Sequence, residues 1–508
     1  MMSTALSDHK IVFDLDLINR YDKTGPRYTS YPTAVQFTED YGEKDYRNWA
    51  YESNNDPIPA PLSLYLHIPF CNTICYYCAC NKIVTKDYNK AEAYVALLKK
   101  EIQLQAGLFS HDRSVLQMHW GGGTPSYLKN EHIRELLDTI HQNFNFADDN
   151  EGEFAIEVDP RTVDADRIHE LRKLGFNRIS FGVQDFNPEV QDAINRVNSK
   201  EQIISVINAA RDADFHSINI DLMYGLPKQT IDSFADTIKA TIEASPDRIA
   251  VYNYAHLPEM FKPQRRIEED ELPSPQDKLD MLQQTINMLQ DADYVYIGMD
   301  HFAKKGDDLV KAQDNGSLYR NFQGYSTNAD CDVIAMGVTA IGRIGDNYSQ
   351  NTRDLAQYEA LLAEDRIPVF RGLELEPDDI LRKDIINQIM CYFRLDIGKL
   401  ETRWGIKFTE YFESEFTHLN DMEKEGLIKI SEDYIDVLPA GRLLARSVCM
   451  EFDRYLQEKE TQQRYSKVIL FFATCKRMYF NAKTPRRKER KEGKDFYCFF
   501  QSVGWIRR

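Results

Sequence analysis

The sequence predicts an α/β fold: a partial (β/α)6 TIM-like barrel with an N-terminal arm and a C-terminal, mainly helical domain. From Leu62 onward, short β-branched or aromatic runs alternate with longer amphipathic stretches, the pattern of parallel βα units. The units number six, or seven if 294–297 is counted, which falls short of the eight of a closed barrel and favours an open, partial barrel over a doubly wound sheet. Polar or glycine-rich text also follows one expected strand after another, where parallel α/β folds carry their function.

Residues 1–60 are rich in turn signals, such as Gly25-Pro26-Arg27-Tyr28-Thr29-Ser30-Tyr31-Pro32 and Asn54-Asn55-Asp56-Pro57, and keep no period; they read as an extended arm and cover. The barrel is expected over 61–365, with strands at 62–68, 115–120, 154–158, 178–183, 217–222 and 248–254 and a possible seventh at 294–297. Helices are expected at 91–108, 131–144, 164–174, 201–213, 231–244 and 275–289. The strands lead in turn into a cysteine cluster, Gly121-Gly122-Gly123-Thr124-Pro125, Glu157-Val158-Asp159-Pro160, Gln184-Asp185-Phe186, Asp221 and Tyr254-Ala255-His256. Residues 366–469 read as a small helical or winged-helix-like domain, with helical text at 384–393 and 420–430, a short strand-like pair, and 441–453.

With 508 residues the chain has material for about three domains. At 43% hydrophobic and 28% charged it resembles neither a disordered chain nor a membrane protein. The apolar stretches 333–341 and 468–473 fall far short of the ~20 residues that span a bilayer. Asp14 and Asp16 interrupt 11–18, so no secretory signal is read and a cytoplasmic location is expected. The net charge of −18 disfavours nucleic acid as a partner. Residues 470–508 hold 11 Lys and Arg against 3 Asp and Glu, so the first 469 residues carry −26. That basic tail, with Pro485-Arg486-Arg487-Lys488-Glu489-Arg490-Lys491, reads as a disordered or non-native extension in preference to an anion-binding patch.

Of nine cysteines, four lie at Cys71, Cys75, Cys78 and Cys80 in a chain with no export signal, which points to metal or redox chemistry and not to disulfides. Cys71-x3-Cys75-x2-Cys78 puts three soft thiolates on one loop, a donor set for an iron–sulfur cluster, zinc or copper(I). A structural zinc site wants a fourth ligand, and Cys331, Cys391 and Cys449 stand isolated. Three thiolates on a four-iron cluster leave one iron open to a substrate or cofactor, so a 4Fe-4S cluster is expected, with a zinc knuckle as the alternative.

The run Cys71-Asn72-Thr73-Ile74-Cys75-Tyr76-Tyr77-Cys78, with an aromatic before the third cysteine, resembles the radical S-adenosylmethionine (SAM) superfamily, as does Gly121 to Pro125. Gly25 to Ala34, Cys78-Ala79-Cys80-Asn81-Lys82-Ile83-Val84-Thr85, Glu157-Val158-Asp159-Pro160, Gly182-Val183-Gln184-Asp185-Phe186, Tyr224 to Thr230 and Asn321-Phe322-Gln323-Gly324-Tyr325 together resemble the oxygen-independent coproporphyrinogen III oxidases. The resemblance covers about 17–469 and implies a barrel of the radical SAM type. It also implies an enzyme in which reductive cleavage of SAM at the cluster yields a 5'-deoxyadenosyl radical. That radical takes a hydrogen from a propionate of coproporphyrinogen III; carbon dioxide leaves, and two such rounds give two vinyl groups and protoporphyrinogen IX.

Carried over residue by residue, the resemblance makes Cys71, Cys75 and Cys78 the cluster ligands. Tyr65, Tyr77, Gly122, Gly123, Thr124, Glu157, Gln184, Arg196, Asp221, Ala255 and Ile341 match cofactor-contacting positions, divided between two SAM molecules. Cys80 is placed in the catalytic set. So is Arg27, as a holder of the substrate's carboxylates, because an acidic protein must bind a tetra-acid through local basic residues; Arg161 and Arg178 are weaker candidates. One departure is Ala79, where the family has glycine; it is expected to be tolerated. The resemblance implies a monomer that draws on an external electron donor and acceptor. Two other readings stay open: a radical-SAM-like haem-binding chaperone, which shares the first three cysteines and the GGGTP segment but lacks the arm and Cys80, and a plain electron carrier, which needs no decorated strand ends.

Overall fold

The computed structural model describes residues 10–329, 331–457 and 469; the basic tail expected at 470–508 lies outside them. Six parallel strands form the centre: β1 (Leu62–Ile68), β2 (Ser114–Gly122), β3 (Glu153–Val158), β4 (Arg178–Gln184), β5 (Ser217–Tyr224) and β6 (Arg248–Asn253), each paired with its predecessor. Helices follow the first five strands at Asn89–Ala106, Asn130–Asn143, Ala165–Lys173, Lys200–Asp212 and Ile231–Ala244, and Pro275–Asp291 follows the sixth. The (β/α)6 core and its helices match the sequence expectation to within a few residues at each end. Local chemistry explains the fit. The helix Ile231–Ala244 opens on Thr230, whose side chain accepts from the Ser233 N–H, and Pro275–Asp291 opens on Ser274 with proline at its first turn.

Alternation along each strand sends one set of side chains to the helices and the other into the barrel. In β1, Leu62, Leu64, Leu66 and Ile68 join the main apolar core, while Ser63 and Tyr65 make polar or aromatic contacts with the neighbouring strand and the Tyr65 hydroxyl lies 3.3 Å from His67. The barrel interior is thus polar, unlike the packed apolar layers of a closed eight-stranded barrel.

The sheet continues at both edges instead of closing. The expected seventh strand exists as Tyr294–Gly298, but His301–Lys304 lies antiparallel between it and β6. The link Met299-Asp300 is too short for a parallel crossover and permits only a hairpin. Beyond β1, Asp332–Met336 pairs with it in parallel, and Ile341–Ile344, Asn347–Asn351 and Val369–Glu374 extend the sheet antiparallel. Sequence reading assigned no strands there, because Asn347–Asn351 is polar yet wholly buried. Its side chains are satisfied across the fold, Asn347 accepting from the Tyr41 hydroxyl at 2.7 Å and Asn351 donating to Glu101 at 2.7 Å.

The N-terminal arm is more regular than expected, holding helices Leu15–Tyr21 and Glu43–Asn55. Its turn-rich centre is buried: Tyr28 donates to Asp453 at 3.0 Å, and Arg446 donates to the carbonyls of Pro26 and Gly25. A segment covered on both sides shows no amphipathic period. In the C-terminal part, helices Pro377–Tyr392, Ile397–Trp404, Glu413–Lys424 and Ala445–Glu451 surround a three-stranded sheet of Arg394–Asp396, Ile428–Ile430 and Tyr434–Val437. The helical run expected over 420–430 breaks at Gly426, whose φ of 81° ends the helix and turns the chain into a strand.

Glu101, buried below β1, accepts hydrogen bonds from the Gly337 N–H at 2.7 Å, from Asn351 and from Tyr358, yet burial pushes its carboxyl up from 4.5 to about 7. Between those values the folded chain binds more protons than the unfolded one, so this contribution to stability is complete below pH 4.5 and is lost as pH rises to about 7. Melting temperature is expected to fall across that range, and to fall less steeply in Glu101→Gln; parallel slopes would exclude Glu101 as the cause.

Candidate active site

The loop after β1 carries the cysteines because β1 ends at Ile68 and Pro69 breaks the run; Phe70–Cys71 then pairs with Ile83–Val84 and closes the loop on itself. Cys71, Cys75, Cys78 and Cys80 line one cavity of about 210 Å³ with Tyr77, Lys82, Gly123, Thr124, Asp159, Arg161 and Arg196. Among the described residues no three His, Cys, Asp or Glu side chains converge on a single-ion position; the thiols stand around the cavity instead.

The surroundings suit thiolates. Arg161 and Arg196 each donate to the Cys75 sulfur at 3.4 Å, and the Thr124 hydroxyl lies 3.4 Å from the Cys71 sulfur. Burial pushes the Cys71 thiol up to about 12, whereas a hydrogen bond from Cys80 holds Cys78 well below the usual thiol range against its own burial. Cys80 is thus a donor to the Cys78 sulfur. Lys82 donates to the carbonyls of Cys78 and Cys80, both at 3.2 Å. Ala79 does not sit in the left-handed region, so the departure from glycine costs no backbone strain.

The opposite wall is backbone. Gly122 has φ of 121°, and a Cβ there would lie 2.8 Å from the Ile68 carbonyl oxygen. A Cβ on Gly123 would lie 2.6 Å from the carbonyl oxygen of Pro69, so glycine is what lets this turn press against the cysteine loop. Tyr77 is buried in a second apolar cluster with Cys75, Met223 and Tyr254.

Further into the barrel, Tyr65 stacks on His119 with ring centroids 5.9 Å apart, and His119 lies 3.1 Å from Glu157. The other carboxylate oxygen of Glu157 is buried and has no partner among the described residues, as is the Gln184 amide nitrogen, held at a residue with φ of 71°. Asp221 accepts from Ser180 at 3.2 Å and Asn219 at 2.8 Å. The parallel registers thus gather Tyr65, Glu157, Gln184 and Asp221 at the same end of the barrel as the cysteine loop.

Two of the matched positions have partners within the fold. The Arg196 fork, expected to face a ligand carboxylate, is spent on Asp159 at 2.7 Å, on the Gly182 carbonyl and on Cys75. Ile341 packs with Ala34, Phe37, Phe322 and Tyr348 beside the arm and lines a small separate cavity with Asn321 and Gln323. Ala255 is buried, its carbonyl accepting from Gln264 at 3.2 Å. Asp159 and Lys82 were not singled out from sequence, and Arg161 only as a weak substrate contact. For Asp159 and Arg161 the signal was position, in the turn that follows β3, and for Lys82 its place in the cysteine loop. Arg27 is buried and ion-paired with Asp300, and Arg178 is ion-paired with Glu153 at 2.9 Å.

A three-thiol loop at the mouth of a partial (β/α)6 barrel, backed by a glycine turn, defines a radical SAM protein, and the family description "Radical SAM superfamily" matches residues 65–241. A second description, "HemN C-terminal domain", matches 375–444. The chain is 49% identical to the oxygen-independent coproporphyrinogen III oxidase of Pseudomonas aeruginosa over 459 residues, covering 90% of this chain and 99% of that one. It is 48% identical to that of Escherichia coli over 464 residues, covering 91% of this chain and 100% of that one. The solved structure of the Escherichia coli coproporphyrinogen III oxidase (HemN), described as a radical SAM enzyme, superposes with a TM-score of 0.83 at 47% identity, over 88% of this chain and 100% of that one. The chain belongs to the oxygen-independent coproporphyrinogen III oxidase family. Membership implies a 4Fe-4S cluster and SAM, and the three thiols with their cationic surroundings fit that cluster.

Arg161 gives a prediction specific to this site. A guanidinium 3.4 Å from the Cys75 sulfur favours the more negative, reduced cluster. Arg161→Gln is expected to lower the cluster's reduction potential by about 40 mV, the one-electron equivalent of a hydrogen bond of about 1 kcal/mol. An EPR-monitored redox titration reads this directly, and an unchanged midpoint would remove Arg161 from the tuning set.

Proposed function

We propose that the chain catalyses the oxygen-independent oxidative decarboxylation of two propionates of coproporphyrinogen III to vinyl groups, giving protoporphyrinogen IX. The observation that carries this reading is the ring of Cys71, Cys75 and Cys78 around one cavity walled by Gly123 and Thr124, in a chain of this family. When bound, the cluster and SAM supply an electron and a carbon-centred radical able to remove a hydrogen from the substrate. The protein's part is to hold and orient. Cys71, Cys75 and Cys78 ligate the cluster; Cys80, Arg161 and Arg196 stabilise its sulfurs. Gly122 and Gly123 give close backbone approach for SAM. The vacant acceptor on Glu157, the vacant donor on Gln184, and Tyr65, Asp221, Tyr77, Thr124 and Ala255 would bind its polar groups and adenine.

The site as proposed takes two SAM molecules, the second reaching toward Ile341, and Arg27 contributes charge for the substrate's carboxylates. Electron donor and acceptor come from outside the chain, which acts as a monomer in the cytoplasm. In support, no helix among the described residues is long and apolar enough to cross a membrane. The haem-chaperone alternative lacks the arm and Cys80 present here. The test is anaerobic: reconstituted protein, SAM, a reductant and coproporphyrinogen III are expected to yield protoporphyrin after oxidation, together with 5'-deoxyadenosine. A cluster-loaded protein that binds haem tightly and leaves coproporphyrinogen unchanged would refute the enzyme reading.

A further inference from the structure

Arg320 lies in a hairpin of Tyr319–Asn321 and Gly324–Ser326. The hairpin seats on the barrel: Gln117 of β2 donates to Ser326 at 3.2 Å, and Thr327 donates to Glu153 of β3 at 2.8 Å. Arg320 is only 4% exposed, and its Nε and Nη1 meet no hydrogen-bond acceptor among the described residues. Its guanidinium lies over the Tyr325 ring at 4.7 Å.

Several other arginines of low exposure among the described residues have an anion or a carbonyl as partner. Arg196 has Asp159, Arg248 has Asp307, Arg113 has Asp332 and Arg382 has Asp378 with Glu415. Arg343 and Arg446 donate to backbone carbonyls. Arg320 has neither a carboxylate nor a carbonyl for its buried nitrogens among the described residues, and a buried cation left so costs several kcal/mol. Arg27, close enough to be felt electrostatically, is a second cation; the carboxylate beside it, Asp300, is ion-paired with Arg27 and not with Arg320, and the Arg27 Nε is likewise without a hydrogen-bond partner among the described residues. Burial and the nearby charges of Arg320 and Arg27 hold His301 well below its ordinary range, so the imidazole there is neutral.

Tyr252 of β6, whose buried hydroxyl has no partner among the described residues, feels Asp221 and Glu157 as well as Arg27 and Arg320. Ring contacts link Arg320 to that strand: Tyr325, under the guanidinium, meets His301 at 5.4 Å, His301 meets Tyr252 at 6.0 Å, and β6 pairs with the strand that carries Asp221. The substrate proposed above carries four propionate carboxylates, the anion for which a guanidinium fork is shaped.

We propose that Arg320 binds a propionate carboxylate of the tetrapyrrole substrate, with Arg27, Tyr252 and His301 lining that subsite. This rests on the functional reading above.

The test uses the full, cluster-loaded chain as wild type, Arg320→Gln and Arg320→Lys. Loss of one charge-assisted bidentate contact is expected to raise KM for coproporphyrinogen III at least tenfold in R320Q, with kcat within about threefold, and to a smaller extent in R320K. Cluster content and SAM binding should match wild type. Binding of coproporphyrin III, followed by its Soret shift without turnover, should weaken in parallel. Unchanged KM and unchanged porphyrin binding in R320Q overturn the inference. If R320Q loses its cluster or its fold, R320K decides: one ammonium cannot reproduce the fork, and wild-type affinity in R320K overturns the inference. A wild type that binds coproporphyrin III but does not turn coproporphyrinogen over refutes the enzyme reading alone, and Arg320 is then judged on binding. A wild type that does not bind the porphyrin refutes both.

Discussion

Cys75→Ser is expected to abolish turnover and to leave protein that cannot hold a full complement of iron and sulfide. Of the three thiols, Cys75 is the most deeply buried and receives both guanidiniums, from Arg161 and Arg196 at 3.4 Å. Serine keeps the volume close but offers an alcohol whose oxygen is a hard, weakly acidic donor where a soft thiolate is needed. Removing the thiolate also leaves two cations facing a neutral oxygen, with Asp159 as their ion-pair partner among the described residues. Loss of activity by at least three orders of magnitude, together with loss of the cluster's visible absorption and EPR signal, is the expected result. Wild-type iron content in the variant would remove Cys75 from the ligand set. The fold itself should survive, because Arg161 and Arg196 keep their ion pairs with Asp159.

Gly123→Ala is the second large effect, and it acts without touching any ligand. The added methyl carbon would sit 2.6 Å from the Pro69 carbonyl oxygen and 2.9 Å from that of Phe70. Both neighbours are backbone, so the cysteine loop and the glycine turn must separate. Overpacking of this kind costs about 1–3 kcal/mol of stability. The larger cost is positional, since a displacement of about 1 Å between reacting groups lowers rates by about 10²-fold. Activity is expected to fall about a hundredfold with the cluster still assembled and SAM affinity reduced. Gly175→Ala is the contrast: a Cβ there meets nothing within 4 Å, so it should lower stability through its φ of 104° and spare the site. Equal losses of activity in the two variants would refute the steric argument.

Legibility in the sequence followed the range over which each signal acts. The six βα units could be read because strand alternation and helical period repeat within ten to twenty residues. The cysteine loop could be read because its three donors and their spacing fit within eight residues, Cys71 to Cys78. Antiparallel strands past 330 were missed because Asn347–Asn351 carries polar side chains into a buried sheet, and partners elsewhere in the chain satisfy them. The arm showed no period because Tyr28 is buried against Asp453, 425 positions away.

By itself, then, the sequence determined the barrel's repeating units, the family and the three-cysteine loop, all written in short-range spacing and residue type. Only the tertiary structure decided which charges are already neutralised. It ties Arg196 to Asp159 and Arg27 to Asp300, moves Ile341 into an apolar cluster by the arm, and leaves Arg320 buried without an acceptor for its Nε and Nη1 among the described residues. The physical reason is that the free energy of a charged side chain is set by burial and by partners within a few ångströms. Those partners come from strand ends and hairpins whose proximity exists only once the sheet has formed.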